Sequence, residues 1–342
     1  MSILVTGGLG FIGSHCVVEL LNENYQIIIV DNLSNSKIEV LYRIQNLTKK
    51  KPLLYQIDLQ NNEKMEEIFE KHQIDLVIHM AGLKAVAQSV KEPLLYYQQN
   101  ITMTLTLLSI MTKYHVKKII FSSSGTVYGT QPTPFDESMM TGIGLSNPYT
   151  KTKYIIEEIL KDLQKSDYTW LVIILRYFNP SGAHPSGIIG ENPNDIPNNL
   201  MPILLKIADD TRRIDIKPKL NIYGTDYDTV DGTCIRDYIH VVDLVTGHLA
   251  AMRYCTNPGI HTYNLGTGIG YSVRQLVNTF QMVNGIKIEC VETDRRLGDL
   301  TKSLASVDKA RTELDWQSQY HLEDICRDSW KAYQYINNNR KN

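Results

Sequence analysis

No run of this 342-residue chain reaches the ~18 consecutive apolar positions that a membrane-spanning helix needs, so no span is predicted. Basic residues are not in excess: 35 Lys and Arg stand against 37 Asp and Glu, and bulk charge offers nothing to nucleic acid. The five cysteines (Cys16, Cys234, Cys255, Cys290 and Cys326) are odd in number, scattered, and form no CxxC pair. They read as reduced thiols of a cytoplasmic protein rather than as a disulfide framework. There is no HExxH and no dense Cys/His cluster, so no metal is expected. The N-terminal apolar run is too short and too quickly broken by glycines to read as a secretory leader, and a strand is expected to begin at once. Internal repeats and low-complexity segments are also missing. What remains is an ordinary globular composition, 43% apolar, with enough chain for one large or two medium domains.

Residues 2–6 form a short apolar run that ends at glycines, as a strand buried on both faces would. A helical pattern follows at 11–22, then a second buried strand at 26–31. Strands are predicted again near 53–56, 76–79, 118–123 and 169–175, with helices at 63–72, 94–114 and 148–164. Such alternation implies an α/β fold: a doubly wound parallel sheet of Rossmann type with helices on both faces. From 179 to 237 the texture changes to Pro, Gly, Asn and Asp, with irregular stretches such as 192–199, and long loops of this kind usually shape a binding site. Helical patterns return at 241–254, 272–284 and 322–335, with strands near 261–265 and 287–292. The expected division is a cofactor domain over 1–179 and a smaller, mixed α/β substrate domain over 180–342. That boundary is soft, and segments can return to the first domain. The Asn/Lys-rich tail from Asn337 reads as frayed.

Thr6-Gly7-Gly8-Leu9-Gly10-Phe11-Ile12-Gly13 follows the first strand and opens the first helix. The glycines allow a tight turn, a close backbone approach to a pyrophosphate, and close packing of helix on strand. The helix end then offers free N–H groups and positive dipole to the phosphates. Many glycine motifs are ordinary turns, but the position between strand and helix favours a dinucleotide. Asp31 ends the second strand eighteen residues after Gly13, near the ~20 at which a carboxylate reaches an adenosine ribose. It would accept from the ribose hydroxyls and repel a 2′-phosphate, which selects NAD over NADP; the bland alternative is a turn aspartate. Asp58 and Met80-Ala81-Gly82 also follow strand ends, where open α/β sheets bind ligands.

Tyr149 and Lys153 stand four apart, one turn along a single helix face. An ammonium near a phenol favours the phenolate, so the pair is expected to make a base that works near neutral pH, with Lys153 holding the Tyr149 pKa down. Asn147 and Pro148 look like the cap and first position of that helix. Among the hydroxyls of Ser122-Ser123-Ser124, Ser124 is placed by position beside Tyr149. With 20 tyrosines in the chain, a Tyr-x-x-x-Lys pair alone is more often a surface contact. Together with the glycine turn and the serine run it reads as alcohol oxidation, in which a phenolate takes a hydroxyl proton while hydride leaves the carbon for a nicotinamide.

These residues resemble the extended short-chain dehydrogenase/reductase family and, more narrowly, its UDP-galactose (UDP-glucose) 4-epimerases. The likeness runs nearly end to end. It includes His79-Met80-Ala81-Gly82-Leu83-Lys84-Ala85-Val86, Arg176-Tyr177-Phe178-Asn179-Pro180, His184-Pro185-Ser186-Gly187, 196–202, Asp231-Gly232-Thr233, Arg236-Asp237-Tyr238-Ile239-His240 and Tyr263-Asn264-Leu265-Gly266. The resemblance implies tightly held NAD, no net redox change, and inversion of sugar carbon 4 through a 4-keto sugar. It implies that Gly7, Gly10, Phe11, Ile12, Gly13, Asp31, Asn32, Leu33, Ser34, Asn35, Ser36, Asp58, Leu59, Met80, Ala81, Gly82, Lys84, Gln99, Ser124, Tyr149, Lys153 and Phe178 line the cofactor. At Gln99 the family usually has Asn; the amide is kept, one methylene longer. The UDP-sugar would meet Lys84, Ser124, Tyr149, Asn179, Asn199, Leu200, Asn221, Ile222, Tyr223, Arg236, Tyr238, Arg296, Asp299 and Ser303. Two guanidiniums suit a diphosphate and Tyr223 suits uracil, although Arg236 or Arg296 alone would more often be a surface ion pair. Ser303 stands where epimerases restricted to plain hexoses carry Tyr, leaving room for a 2-acetamido group and so for UDP-GlcNAc and UDP-GalNAc.

Two other readings compete. A nucleotide-sugar dehydratase of the same family needs an Asp-Glu pair where this chain has Gly125-Thr126. A non-enzymatic NAD-binding sensor on the same fold often loses the catalytic Tyr or Lys, and both are kept here. The resemblance also implies a homodimer joined through helices 94–114 and 148–164, whose apolar positions could equally face the protomer's own sheet.

Overall fold

Side chains of the first strand divide strictly by parity: Ile3 and Val5 enter one core cluster and Leu4 the other. Ile27 and Ile29 part from Ile28 and Val30 in the same way, as do Ile173 and Leu175 from Val172 and Ile174. This two-residue period, apolar on both faces, makes a sheet that must be covered on both sides. The computed structural model describes residues 1–194, 199–213, 218–296 and 298–338. Part of the 192–199 stretch and of the 196–202 motif, and most of the tail from Asn337, lie outside the described residues.

The first half runs β1 (Ser2–Thr6), α1 (Phe11–Asn22), β2 (Gln26–Val30), α2 (Glu39–Thr48), β3 (Leu53–Tyr55), α3 (Asn62–Lys71) and β4 (Leu76–His79). It continues with α4 (Val86–Lys91), α5 (Pro93–Tyr96), a π-helical turn at Tyr97–Thr102, α6 (Met103–Lys113), β5 (Lys118–Ser124), α7 (Pro148–Ser166) and β6 (Leu171–Tyr177). The later half holds β7 (Asn179–Ser181), α8 (Leu200–Arg213), β8 (Leu220–Tyr223), β9 (Ile235–Arg236), β10 (Tyr238–His240), α9 (Val241–Tyr254) and β11 (Gly259–Leu265). It closes with β12 (Tyr271–Ser272), α10 (Val273–Asn284), β13 (Cys290–Thr293), β14 (Lys302–Ser303), α11 (Asp308–Leu314) and α12 (Leu322–Asn338). Two differences from the sequence reading have local causes. The helix expected at 94–114 is interrupted by the π-turn, which carries the buried Asn100. α2 and α8 were not expected: the apolar stripe of α2 is narrow, with only Leu41 and Ile44 buried, whereas α8 buries Met201, Leu204, Leu205, Ile207 and Ala208 directly after the irregular Pro/Asn-rich stretch.

The sheet order is β11-β6-β5-β4-β1-β2-β3, all parallel. The doubly wound sheet expected from the alternation is therefore present. The chain reverses direction across the sheet between β1 and β4, and ligands of open sheets bind at the carboxyl ends flanking such a switch. α1, α2, α9 and α11 cover one face, and α3, α6 and α7 the other. A third cluster joins α8, α10 and α12 around Leu204, Phe280 and Trp330. The chain beyond 180 does not stay in that cluster, because β11 pairs with β6 as the edge strand of the main sheet. Among the described residues no helix is long and apolar enough to cross a membrane. Among them, too, no group of three or more His, Cys, Asp or Glu could hold a metal ion.

α7 is locked to the sheet by a buried charge network. Arg176 of β6 donates to Glu157 of α7 through Nε (3.1 Å) and Nη2 (2.7 Å). Ser123 of β5 donates to the same carboxylate at 2.5 Å, and Arg176 Nη1 donates to the Tyr128 hydroxyl at 2.9 Å. The two side chains are 3% and 0% exposed, so removing one partner strands a charge in the core. Arg176→Met is expected to cost about 3–5 kcal/mol. The double variant Arg176→Met/Glu157→Met should recover part of that loss, both read as urea-unfolding free energies.

Candidate active site

The glycine turn is shaped by contacts that only glycine permits. A Cβ on Gly13 would meet the Gly7 carbonyl oxygen at 2.1 Å. Gly7 itself has φ +67° and abuts the backbone of Ala81, where a Cβ would come within 2.9 Å of the amide nitrogen. Thr6 Oγ1 ties the two strand ends together, accepting from the amides of Met80 (3.1 Å) and Ala81 (3.2 Å). Beneath it lies His79, bonded to Thr6 (2.8 Å) and Thr104 (2.9 Å), with a pKa lowered to about 3 by burial and then by the Lys153 charge.

Asp31 braces this turn against the next loop. Its carboxylate accepts from Leu9 N (3.0 Å), Leu33 N (2.9 Å) and Ser36 Oγ (2.7 Å). A carboxylate offers about four lone-pair sites, so one is left for a ligand hydroxyl. Asn32 donates to Asp58 at 2.9 Å, and Gln99 accepts from Gln60 at 3.0 Å, which gathers Asp31, Asn32, Asp58 and Gln99 beside the ends of β2 and β3. The first turn of α1 has no side-chain cap at Gly10, leaving its N–H groups for an anion. Uncapped helix end, glycine cradle and spare carboxylate site together fit a dinucleotide. Leu59 differs from expectation: its side chain is 4% exposed and packs in the core, so only its backbone can face a ligand.

Tyr149 sits on the first turn of α7, where Pro148 occupies the first turn and Asn147 Oδ1 accepts from Thr150 N at 2.9 Å. Its surface is partly open, but the phenol is enclosed and burial raises its pKa. A hydrogen bond with Ser124 and the ammonium of Lys84 pull it back. Here the structure departs from the expectation that Lys153 tunes the phenol. The Lys153 amine instead donates to the Ser122 carbonyl (2.7 Å) and lies 4.9 Å over the Phe121 ring. Its own pKa is lowered to about 8 by burial, with Glu157 opposing that shift. Ser124 accepts from Thr126 Oγ1 at 3.0 Å, and a Cβ on the neighbouring Gly125 would meet the Phe178 ring at 3.1 Å.

Lys84 pairs with Glu191 at 2.8 Å and stands 6.0 Å over the Phe11 ring. Burial works against its charge, yet Glu191 raises its pKa overall. Sequence reasoning missed Glu191 and Asn100. Asn100 holds Leu83 by both its N–H (2.8 Å) and its carbonyl (3.1 Å), and donates to Thr152 of α7 at 3.0 Å. The departure of Gln99 from its family residue was the only sequence signal near that position.

The later half brings a second group together. Asp299 receives Arg236 Nη2 at 3.4 Å and Arg296 Nε at 3.1 Å, and the Arg296 guanidinium lies 5.1 Å over the Tyr223 ring. Ser303 pairs with Arg236 in register, its carbonyl accepting from Asp237 N at 3.1 Å. Asn179 donates through Nδ2 to the Asp237 carbonyl at 3.1 Å. Asn221 and Tyr223 point out of β8, whereas Ile222 is 2% exposed and belongs to the core. Tyr238 is likewise buried, 6% exposed in the third cluster, and burial pushes its phenol pKa up. Leu200 packs on that cluster at the start of α8, and Asn199 just before it is exposed, its carbonyl accepting from Ile203 N at 3.3 Å.

The Lys153 shift carries a stability signature. Its folded pKa of about 8 lies below the ordinary 10.5, so between these values the unfolded chain binds more protons than the folded one. Stability from this group therefore rises with pH across that window, and the buried ammonium is a burden below it. Expressed relative to Lys153→Met, the unfolding free energy of the dinucleotide-free wild type is expected to climb from pH 8 to 10.5. Urea titrations at several pH values test this; a pH-independent difference contradicts it.

The NAD dependent epimerase/dehydratase family profile matches residues 3–266. The chain is 50% identical over 333 residues to the UDP-glucose 4-epimerase of Bacillus subtilis (strain 168), spanning 97% of this chain and 96% of that protein. It is 48% identical over 340 residues to the UDP-glucose 4-epimerase of Dictyostelium discoideum, spanning 98% and 96%. Among solved structures, the UDP-glucose 4-epimerase of Bifidobacterium longum, in complex with NAD+ and UDP, matches with TM-score 0.94 at 44% identity over 99% of each chain. Likeness of this depth covers the glycine cradle, the Tyr149 helix and the Arg236–Asp299–Arg296 group alike, and the chain belongs to the NAD dependent epimerase/dehydratase family.

Proposed function

We propose that this chain is a UDP-glucose/UDP-galactose 4-epimerase with NAD as its resident cofactor. The observation that carries this reading is the enclosed Tyr149 phenol, whose pKa Ser124 and the charge of Lys84 both lower, at the carboxyl end of the parallel sheet. When bound, NAD would supply a reversible acceptor for the hydride of sugar carbon 4. Tyr149 Oη takes the proton of the 4-hydroxyl and later gives it back, while Ser124 Oγ holds the same oxygen. Because burial raises the phenol pKa, the Lys84 charge and the Ser124 bond are what bring its proton within reach of exchange. Lys153, fixed by the Ser122 carbonyl, is left to hold the nicotinamide ribose.

Gly7, Gly10, Phe11, Ile12 and Gly13 are assigned to the pyrophosphate, 31–36 and Asp58 to the adenosine end, and Met80, Ala81, Gly82, Gln99 and Phe178 to the remaining cofactor surface. Arg236 and Arg296 are assigned to the diphosphate and Tyr223 to uracil, with Asp299 orienting both guanidiniums. The division into an NAD-binding part over 1–179 and a UDP-sugar part over 180–342 follows these assignments, with β11 returning to the first. A dehydratase is disfavoured because its acid position is Gly125, packed against Phe178, and Thr126, whose hydroxyl is spent on Ser124. A cytoplasmic homodimer is the proposed working form. Its contact is assigned to helices 94–114 and 148–164, where Leu94 is 81% and Leu105 44% exposed.

Tyr149→Phe is expected to lower turnover of UDP-galactose, assayed without added NAD, by about 10²–10⁴-fold. Unchanged turnover would end this assignment. Ser303 adds a second expectation: wild type also interconverts UDP-GlcNAc and UDP-GalNAc, and Ser303→Tyr loses that activity while keeping UDP-galactose. Absence of wild-type UDP-GlcNAc turnover, with UDP-galactose active, removes the acetamido reading alone.

A further inference from the structure

We propose that residues 191–194 form a strap that retains NAD, with Glu191 and Asn194 as positioning residues for the two ends of its cradle. The inference rests on the NAD site proposed above and goes beyond it in assigning a role to a segment from the other half of the chain. The strap starts from a fixed point. Ala183 and Gly190 bridge antiparallel, and Gly190 packs so closely on α12 that a Cβ there would meet the Ala332 methyl at 2.8 Å. From this anchor Glu191 reaches Lys84 at 2.8 Å, across 107 positions of sequence. The carboxylate side chain is 11% exposed and the lysine side chain 49%, so the pair is shielded on the Glu191 side and open to solvent on the Lys84 side. Three residues on, Asn194 clamps the loop after β2. Its N–H donates to Asn35 Oδ1 at 2.9 Å, and its side-chain amide donates to the carbonyls of Ser36 (3.1 Å) and Ser34 (3.4 Å).

Both ends of the strap land on segments assigned to the cofactor, and Lys84 in turn stands over Phe11, where α1 begins. A carboxylate next to a pyrophosphate site would repel the ligand if its charge were free. Paired with Lys84, it fixes the cation instead. Dissociation of the dinucleotide then requires the strap to lift from the 34–36 loop and from Lys84 together.

The test measures exchange of bound NAD against excess isotope-labelled NAD on the protein as purified, by mass spectrometry. Glu191→Gln and Asn194→Ala are each expected to speed exchange, and the double variant by on the order of tenfold or more, as loss of a charge-assisted hydrogen bond plus neutral ones implies. The thermal midpoint of the dinucleotide-free protein should not move, which separates retention from general destabilisation. Exchange within about twofold of wild type in the double variant, or slower exchange in Glu191→Gln, overturns the proposal. A second measurement needs no variant: amide hydrogen exchange of 191–194 in wild type slows when NAD is loaded, and no change overturns the strap. If wild type neither contains nor takes up NAD, the cofactor reading falls as well, an outcome distinct from a strap that merely fails to retain.

Discussion

The buried pairing of Glu157 with Arg176 fixes the arrangement on which the active site depends. Tyr149, Lys153 and Glu157 recur every four residues along α7, so anchoring one anchors the face that all three share. Glu157 is held from β6 by Arg176 and from β5 by Ser123, and Lys153 by the carbonyl of Ser122. The strand residues that grip the helix thus lie close to Ser124: Ser122 and Ser123 precede it on β5, and Arg176 pairs with Ser123 in register. Distance between the phenol and the serine hydroxyl is therefore set by buried, charge-assisted bonds rather than by loop conformation.

The same economy of connection joins the two halves of the chain. β11 extends the main sheet from beyond the irregular region, and the buried Asp237 accepts from Thr267, Gly268 and Ala305, pinning the loop after β11 to the strand that carries Arg236. Asp299 then draws Arg236 and Arg296 into one patch next to Tyr223. Without that carboxylate the two guanidiniums would repel each other and splay; with it, a convergent pair stands ready for a second anion.

Electrostatics at the phenol illustrates how a motif and its mechanism can separate. The Tyr-x-x-x-Lys spacing is intact, yet the charge that lowers the Tyr149 pKa is that of Lys84, on the loop after β4, while the Lys153 amine donates to the Ser122 carbonyl and lies over the Phe121 ring. Helical spacing places two side chains on one face, but the direction of a long lysine stem is decided by which carbonyl and ring lie within its reach.

The sequence by itself determined the sheet, because short apolar runs alternating with helical patterns specify strands covered on both faces. It also determined the location of the site, because the glycine turn, the capped Tyr149 helix and the serine run all fall at strand ends. Capping at Asn147 and Pro148 was equally local and equally legible. Partners far apart in the chain were not: Glu191 with Lys84, Asn194 with the 34–36 loop, Asn100 with Thr152, and Glu157 with Arg176 carry no periodic or motif signal. Nor did sequence reveal that Ile222, Leu59 and Tyr238 turn into the core. Local spacing encodes local geometry, whereas hydrogen bonds between distant segments exist only once the sheet has brought their ends together, so tertiary structure alone decided which charge faces the phenol and which loop closes the cradle.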